Sequence, residues 1–346
     1  MAVPDRAVAD AIRAQARACG QLGSPLWARV LQAMGDDHAR GGVSAELLDG
    51  HSAKPVHDAI VLRLLGGLHR LALQGRAPAL AACLPSCGGD GALDPAPAFH
   101  TALVEHVGTL RDAMRCNVQT NEVARAAALV GGFVEVARRA AGLPLHTLEV
   151  GSSAGLLMNW DRYRYETGPE RFGPVDSPLV LTGNWRRAPR LGTAVFVAGR
   201  EGCDISPVDA TTDEGALTLA SFVWPDQLAR LHRLRAAITV ARAHPPVVAA
   251  ADAGAWLEER LGQRRDGRAT VVHHSIVLQY LPHESIERLR VALAHAGTRA
   301  TTDAPLAWLR MEPAGRLADV RLTWWPGGHE TVLGTAGFHG QDITWR

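Results

Sequence analysis

Of the 36 lysines and arginines in this 346-residue sequence, only Lys54 is a lysine. That scarcity excludes two chemistries: no Gly-x-x-x-x-Gly-Lys-Ser/Thr phosphate loop exists, and no second lysine is on hand for Schiff-base work. Long apolar runs are also missing. No stretch reaches the roughly 18 uncharged apolar residues that a membrane span requires. The N-terminus, MAVPDRAVADAIRAQARA, carries charges throughout in place of the apolar core of a signal peptide. These absences point to a cytoplasmic protein with no membrane partner. Neither sign of charge dominates: the formal net charge is +1, so no nucleic-acid partner is indicated. Cysteine is sparse, and Cys19, Cys83, Cys87, Cys116 and Cys203 are odd in number and scattered, which fits a reducing compartment. Cys83 and Cys87 bracket Leu-Pro-Ser, but no second pair or nearby His-x-x-x-His completes a zinc set, so no metal is expected.

What is present reads as an ordinary globular protein, 47% apolar and 21% charged. The length exceeds the roughly 100–200 residues of one domain and predicts a main domain with an extra segment. Residues 1–115 are predicted to be a helical cap over the active site, from helical spacing in Leu26, Trp27, Val30, Leu31 and in Ile60, Leu64, Leu68, Leu71. Pro78 to Pro97 reads as a loop. Asn121 or Thr120 can cap a helix from Glu122 to Ala141, stopped by Gly142 and Pro144. A strand follows at Leu145 to Val150, and Leu156 to Tyr165 starts the next helix. Further strands are predicted at Ala194–Ala198, Val247–Ala251, Thr270–Leu278 and Pro305–Met311, with helices at Leu228–Arg242, Ala255–Leu261 and Ser285–Ala296. This alternation predicts, over residues 116–346, an α/β fold with a mostly parallel sheet covered on both faces. Asp319–Trp325 and Glu330–Trp345, joined at Pro326-Gly327-Gly328-His329, predict a terminal antiparallel hairpin.

The turn Glu149-Val150-Gly151-Ser152-Ser153-Ala154-Gly155 leaves a strand end uncovered, where a ligand can approach the backbone. It has three readings. Glu149-x-Gly151-x-x-x-Gly155 is a loosened acidic-x-Gly-x-Gly-x-Gly motif of the kind that wraps S-adenosylmethionine, with Ser152 and Ser153 in the loop. Gly151-x-Ser153-x-Gly155 is alternatively a nucleophile elbow, with Asp303 and His339 completing a serine-hydrolase triad. The third is a small-residue turn that merely packs a helix on a sheet. Some 145 mostly helical residues before the turn, and no His-Gly-Gly-Gly loop, count against the hydrolase.

Later strand ends carry polar residues where parallel sheets bind ligands. Asp204 lies in Gly202-Cys203-Asp204-Ile205-Ser206-Pro207, which resembles a methyltransferase segment whose carboxylate holds a ribose diol. Asp252 ends the next run, where an adenine amino group is often met. Each aspartate is equally readable as a helix N-cap. His274 and Tyr280 are candidate catalytic groups with Glu122, His274 or Glu122 acting as base. His274 reads equally as a core histidine, since adjacent His273 and His274 in a strand face opposite ways. Gln119, Asn121, Asp161, Tyr163, Tyr165 and Gln279 are candidate substrate contacts, or else caps and helix-face residues.

The series Gln119-Thr120-Asn121-Glu122, Leu148 to Leu156, Asp161-Arg162-Tyr163-Arg164-Tyr165, Gly202-Cys203-Asp204, Val223-Trp224-Pro225-Asp226-Gln227, His274-Ser275, Gln279-Tyr280-Leu281-Pro282, Leu309-Arg310-Met311-Glu312-Pro313 and Trp325-Pro326-Gly327-Gly328 resembles a bacterial family catalogued as a domain of unknown function. The resemblance spans nearly the whole chain. A more distant similarity is to class I S-adenosylmethionine-dependent methyltransferases, from which this turn departs in having Ser152-Ser153-Ala154 where the usual pattern has a middle glycine. That similarity implies a Rossmann-like sheet, S-adenosylmethionine at Glu149, Gly151, Ser152, Ser153, Gly155, Asp204 and Asp252, and methyl transfer to a small-molecule substrate. Intramolecular displacement within the cofactor, or a non-catalytic cofactor-binding module, remain as alternatives on the same residues.

Overall fold

The computed structural model describes residues 4–263 and 266–346. The chain forms two compact units, Met1–Thr120 with Asp213–His232 and Asn121–Thr212 with Arg233–Arg346.

In the first unit every regular element among the described residues is helical: α1 (Arg6–Gln21), α2 (Pro25–Ala39), α3 (Val43–Leu48), α4 (Ile60–Leu73), α5 (Pro78–Ala81), α6 (Ala96–Glu105) and α7 (Val107–Ala113). The chain then runs through α8 (Arg125–Arg139) of the second unit, returns with α9 (Asp213–Ser221), and passes back to the second unit along α10 (Leu228–Ala243). The helical spacing seen in the sequence produces the core, where Ile12, Leu26, Trp27, Leu31, Leu64, Leu68 and Phe99 are buried together. Each such side chain contributes about 1.5–3 kcal/mol relative to exposure. Asp5 and Ser24 cap α1 and α2. The Trp224-Pro225-Asp226-Gln227 motif clamps the returning segment. Ser24 Oγ donates to Asp226 Oδ1 (2.6 Å), Leu26 N–H to Asp226 Oδ2 (3.0 Å), Gln227 Nε2 to the Leu22 carbonyl (2.8 Å), and Ser86 N–H to the Pro225 carbonyl (2.9 Å).

The second unit is mixed α/β. Its strands are β1 (Leu145–Val150), β2 (Arg164–Glu166), β3 (Arg171–Phe172), β4 (Val180–Leu181), β5 (Trp185–Arg187), β6 (Val197–Asp204), β7 (Val248–Ala250), β8 (Ala269–Ser275), β9 (Leu306–Ala314), β10 (Leu317–Trp325), β11 (His329–Ala336) and β12 (Ile343–Trp345). β2, β3 and β4 make a small separate sheet; the other nine run in the order β5-β12-β11-β10-β9-β8-β1-β6-β7. The five neighbours β9, β8, β1, β6 and β7 are all parallel. From β1 the chain moves outward to β6 and β7, then returns to the other side of β1 for β8 and β9. Such a reversal opens a crevice at the C-terminal strand ends, where open α/β sheets bind ligands. Along one face Leu148, Val150 and Val272 pack with Trp256 and Leu257 of α11 (Ala253–Gly262) and Leu289 of α12 (His283–Thr298). On the other, Phe133 of α8 meets His273 edge-on.

Several boundaries differ from the sequence expectation. α8 begins at Arg125 and its N-cap, Ala124, makes no side-chain bond; Asn121 is no cap and instead donates to the Ser152 carbonyl (2.8 Å). Leu156–Arg162 forms a run of 3-10 turns leading into β2, where a helix was expected. β6 continues to Asp204, six residues beyond the predicted end, because its charges are paired: Arg200 with Asp161, and Glu201 with His146 and Arg260. β8 stops at Ser275, since Ile276 takes a positive φ of 52°. The loop expected from Pro78 contains α5, and α6 opens at Ala96. The terminal hairpin is part of a longer antiparallel meander, because β9 runs on to Ala314 and pairs with β10.

Asp226→Ala removes the acceptor for two donors at once and is expected to lower unfolding free energy by about 2–4 kcal/mol. Asp226→Asn, keeping one acceptor oxygen, should lose less. Equal urea midpoints for the wild type and Asp226→Ala would show that the clamp carries no stability.

Candidate functional site at the strand-order reversal

After Val150 the chain turns through Gly151, Ser153 and Gly155, all at positive φ (67°, 54° and 70°). A Cβ at Gly151 would lie 2.2 Å from Val277 Cγ2, and one at Gly155 2.7 Å from Pro246 Cβ. Torsion and space both demand glycine there. Ser152 N–H donates to the Cys203 carbonyl (2.9 Å) and Ser152 Oγ to the Glu149 carbonyl (3.0 Å). Asp204 fastens the turn to the end of β6: Oδ2 accepts from Ser153 N–H (2.8 Å) and Oδ1 from Ser206 N–H (2.9 Å). Each of its half-buried oxygens keeps a lone pair for a further donor.

Directly under the turn, register pairs Glu149 with His273 on the same face of the sheet. Glu149 is 2% exposed and His273 0%. Neither Glu149 Oε2 nor either His273 ring nitrogen has a hydrogen-bond partner. Burial, reinforced by the negative Asp204, holds the Glu149 carboxyl well above the usual carboxylate range. Burial, with neighbouring His274, pushes His273 down to about 3. Burial thus favours the neutral form of each group, the form that avoids placing an unpaired charge in the interior.

His274 faces the opposite way and is fully satisfied. Trp308 Nε1–H, which can only donate, points to His274 Nε2 (3.0 Å), so the imidazole proton sits on Nδ1 and is donated to Glu312 Oε1 (2.7 Å). Glu312 Oε1 also accepts from Val277 N–H (3.0 Å), while Glu312 Oε2 is buried without a partner. Glu312 is a site residue that sequence reasoning missed as a candidate; its signals were its place in the Leu309-Arg310-Met311-Glu312-Pro313 motif and an acidic side chain just past the predicted strand end at Met311.

The remaining sequence-predicted residues divide. Asn121 joins the turn, as above, and Glu122 is buried with Oε1 accepting from Ala124 N–H (3.2 Å). Asp161 is bound by Arg200 (2.8 and 3.0 Å). Tyr163 and Tyr165, expected to line a pocket, are fully buried; their hydroxyls donate to the Leu156 and Trp160 carbonyls and brace the segment after the turn. Asp252 is the N-cap of α11, accepting from Ala255 N–H (2.9 Å) and from Ser285 Oγ. Gln279 and Tyr280 are exposed. Gln119 is buried in the first unit. No Ser153–Asp303–His339 triad forms: Asp303 precedes β9, at the N-terminal end of the parallel strands, whereas Ser153 follows the C-terminal end of β1. Among the described residues, no group of three or more His, Cys, Asp or Glu could hold a metal ion, and no helix is long and apolar enough to cross a membrane. All five cysteines are unbridged.

Gly151→Ala is expected to destabilise by about 1–2 kcal/mol from its torsion, plus the contact with Val277. Val277→Ala should recover the contact part, giving a coupling of about 1 kcal/mol in a double-mutant cycle; strict additivity would rule out that contact. Glu149 and His273 act on stability from opposite sides. A carboxyl raised in the folded state loses stability as pH rises from 4.5 toward its folded value, and a histidine lowered to about 3 loses stability as pH falls from 6.5 toward 3. Glu149→Gln should therefore gain in melting temperature relative to the wild type as pH rises above 4.5. A difference that stays constant over that rise would mean Glu149 is ionised in the fold.

No curated protein and no solved structure matches the chain. The model of a bacterial family does match, over residues 9–345, nearly the full length. The chain belongs to the family described as "Uncharacterized protein conserved in bacteria (DUF2332)".

Proposed function

We propose that this protein is an S-adenosylmethionine-binding enzyme, a methyltransferase acting on a small molecule. The observation that carries this reading is the meeting, at the reversal of strand order, of a glycine turn with the Asp204 carboxylate. The residues present fit such a cofactor. Asp204 keeps lone pairs for the two hydroxyls of a ribose, and the buried, unpartnered Glu149 Oε2 lies beneath the turn. Asp252 retains acceptor capacity at the next strand end beside its capping bonds. When bound, S-adenosylmethionine supplies an electrophilic methyl group on a sulfonium.

The chain's own task is to orient an acceptor and hold its proton. Of the groups at the crevice, Glu312 suits that proton best. Its Oε1 is held by His274 and Val277, which leaves Oε2 as the accepting atom. His274, with both ring nitrogens engaged, serves as its positioning residue rather than as the base.

Calorimetric titration with S-adenosylmethionine and S-adenosylhomocysteine tests the proposal. A Kd of about 10 μM or tighter, weakened about tenfold or more in Asp204→Asn under conditions where that variant remains folded, is the expected result. Absence of heat with both compounds overturns the cofactor assignment. If binding is found, appearance of methylthioadenosine without methylated product would replace transfer by displacement within the cofactor.

A further inference from the structure

The second unit has a cavity of about 350 Å³ at the end of the sheet opposite Gly151. It opens among the N-terminal parts of β1, β8 and β9 and the C-terminal ends of α11 and α12. Its volume is within the roughly 300–1,000 Å³ of small-molecule sites. Leu148, Leu306 and Ala296 supply apolar wall, and His146, Arg260 and Arg299 supply polar wall.

The two arginines differ in how their charge is met. Arg260 lies 2.9 Å from Glu201 and 2.7 Å from Glu259, and Glu201 also meets His146 Nε2 at 2.9 Å. Among the described residues no carboxylate pairs with Arg299. Its Nη2 donates to the Leu261 carbonyl (3.2 Å), and its Nη1 lies 3.0 and 3.1 Å from the two ring nitrogens of His295. The carbonyl ends of α11 and α12 disfavour an anion nearby, and the Arg299 guanidinium sits on one of those carbonyls, so it both offsets that field and retains donors beyond those two bonds. A cation without an acidic partner beside an apolar wall matches a ligand with one negative head and a short hydrocarbon body.

We propose that this cavity is a second ligand site, for a small amphipathic monocarboxylate, with its head on Arg299 and its body against Leu148, Leu306 and Ala296. The site is independent of the S-adenosylmethionine assignment, since it occupies the other end of the strands and shares no residue with the glycine turn.

Amide NMR titration of the full chain with hexanoate tests it, using 1-hexanol as the uncharged counterpart and inorganic phosphate as the anion without a hydrocarbon body. Saturable shifts at Leu148, Thr270 and Leu306 are expected with hexanoate. Hexanol should bind about fivefold more weakly, as befits the loss of one charge-assisted contact. Arg299→Gln should bring hexanoate down to the hexanol level without altering hexanol binding, and Ala296→Phe should abolish both by filling the space. Shifts absent from those three residues, hexanoate binding unchanged in Arg299→Gln, or phosphate binding as well as hexanoate would each overturn the proposal. Arg299 is exposed, so its variant keeps the test decisive even where Ala296→Phe impairs folding.

Discussion

The packing of Val277 against Gly151 is the constraint on which the second unit's crevice depends. It leaves no room for a side chain at the turn after β1, and it couples that turn to the segment beyond β8. From Val277 a continuous line of polar contacts crosses the sheet. Its N–H binds Glu312, Glu312 binds His274, and His274 accepts from Trp308. Arg310 then stacks on the Trp308 ring, 3.8 Å from its centroid, and bonds Thr323 on β10. Such chains hold side chains in single orientations, because every member is another's partner and a lone unpaired buried group is costly.

The adjacent histidines show how the interior handles ionisable groups. His274 is buried with both ring nitrogens bonded and its tautomer set by a neighbour that can only donate. His273, one residue earlier, faces the other way without a hydrogen-bond partner, and burial pushes it toward its neutral form, as it does the neighbouring Glu149. The alternation of a strand assigns these opposite fates. The difference is purely one of which face each side chain enters.

Much of the fold was legible in local pattern. Helical spacing in Ile60, Leu64, Leu68 and Leu71 marks α4 because a buried helix face repeats every three to four residues. The apolar run at Leu145–Val150, ended by glycine, marks β1 for a similar reason. Local pattern failed where charge entered a strand. In β6, Arg200 and Glu201 are neutralised by residues far along the chain, so the strand looks like a loop to any count of apolar residues. β2, β3 and β4, of two or three residues each, are too short to show a period at all. Glu312 was hidden for a third reason: its significance lies in what surrounds it, namely His274 and Val277, contributed by the preceding strand and the turn beyond it.

By itself the sequence determined the alternation of strands and helices in outline, the glycines at the first strand end, the acidic residues at later ones, and membership of its family. These are local properties, written in residue types and their spacing. Only the tertiary structure decided that Asp204 fastens the turn, that Tyr163 and Tyr165 brace it from inside, that Asp303 lies at the wrong end of the sheet for a triad, and that Asp213–His232 belongs with the first unit. Each depends on which distant segments become neighbours, and the order of strands in a sheet is set by packing of whole faces rather than by any local run of residues.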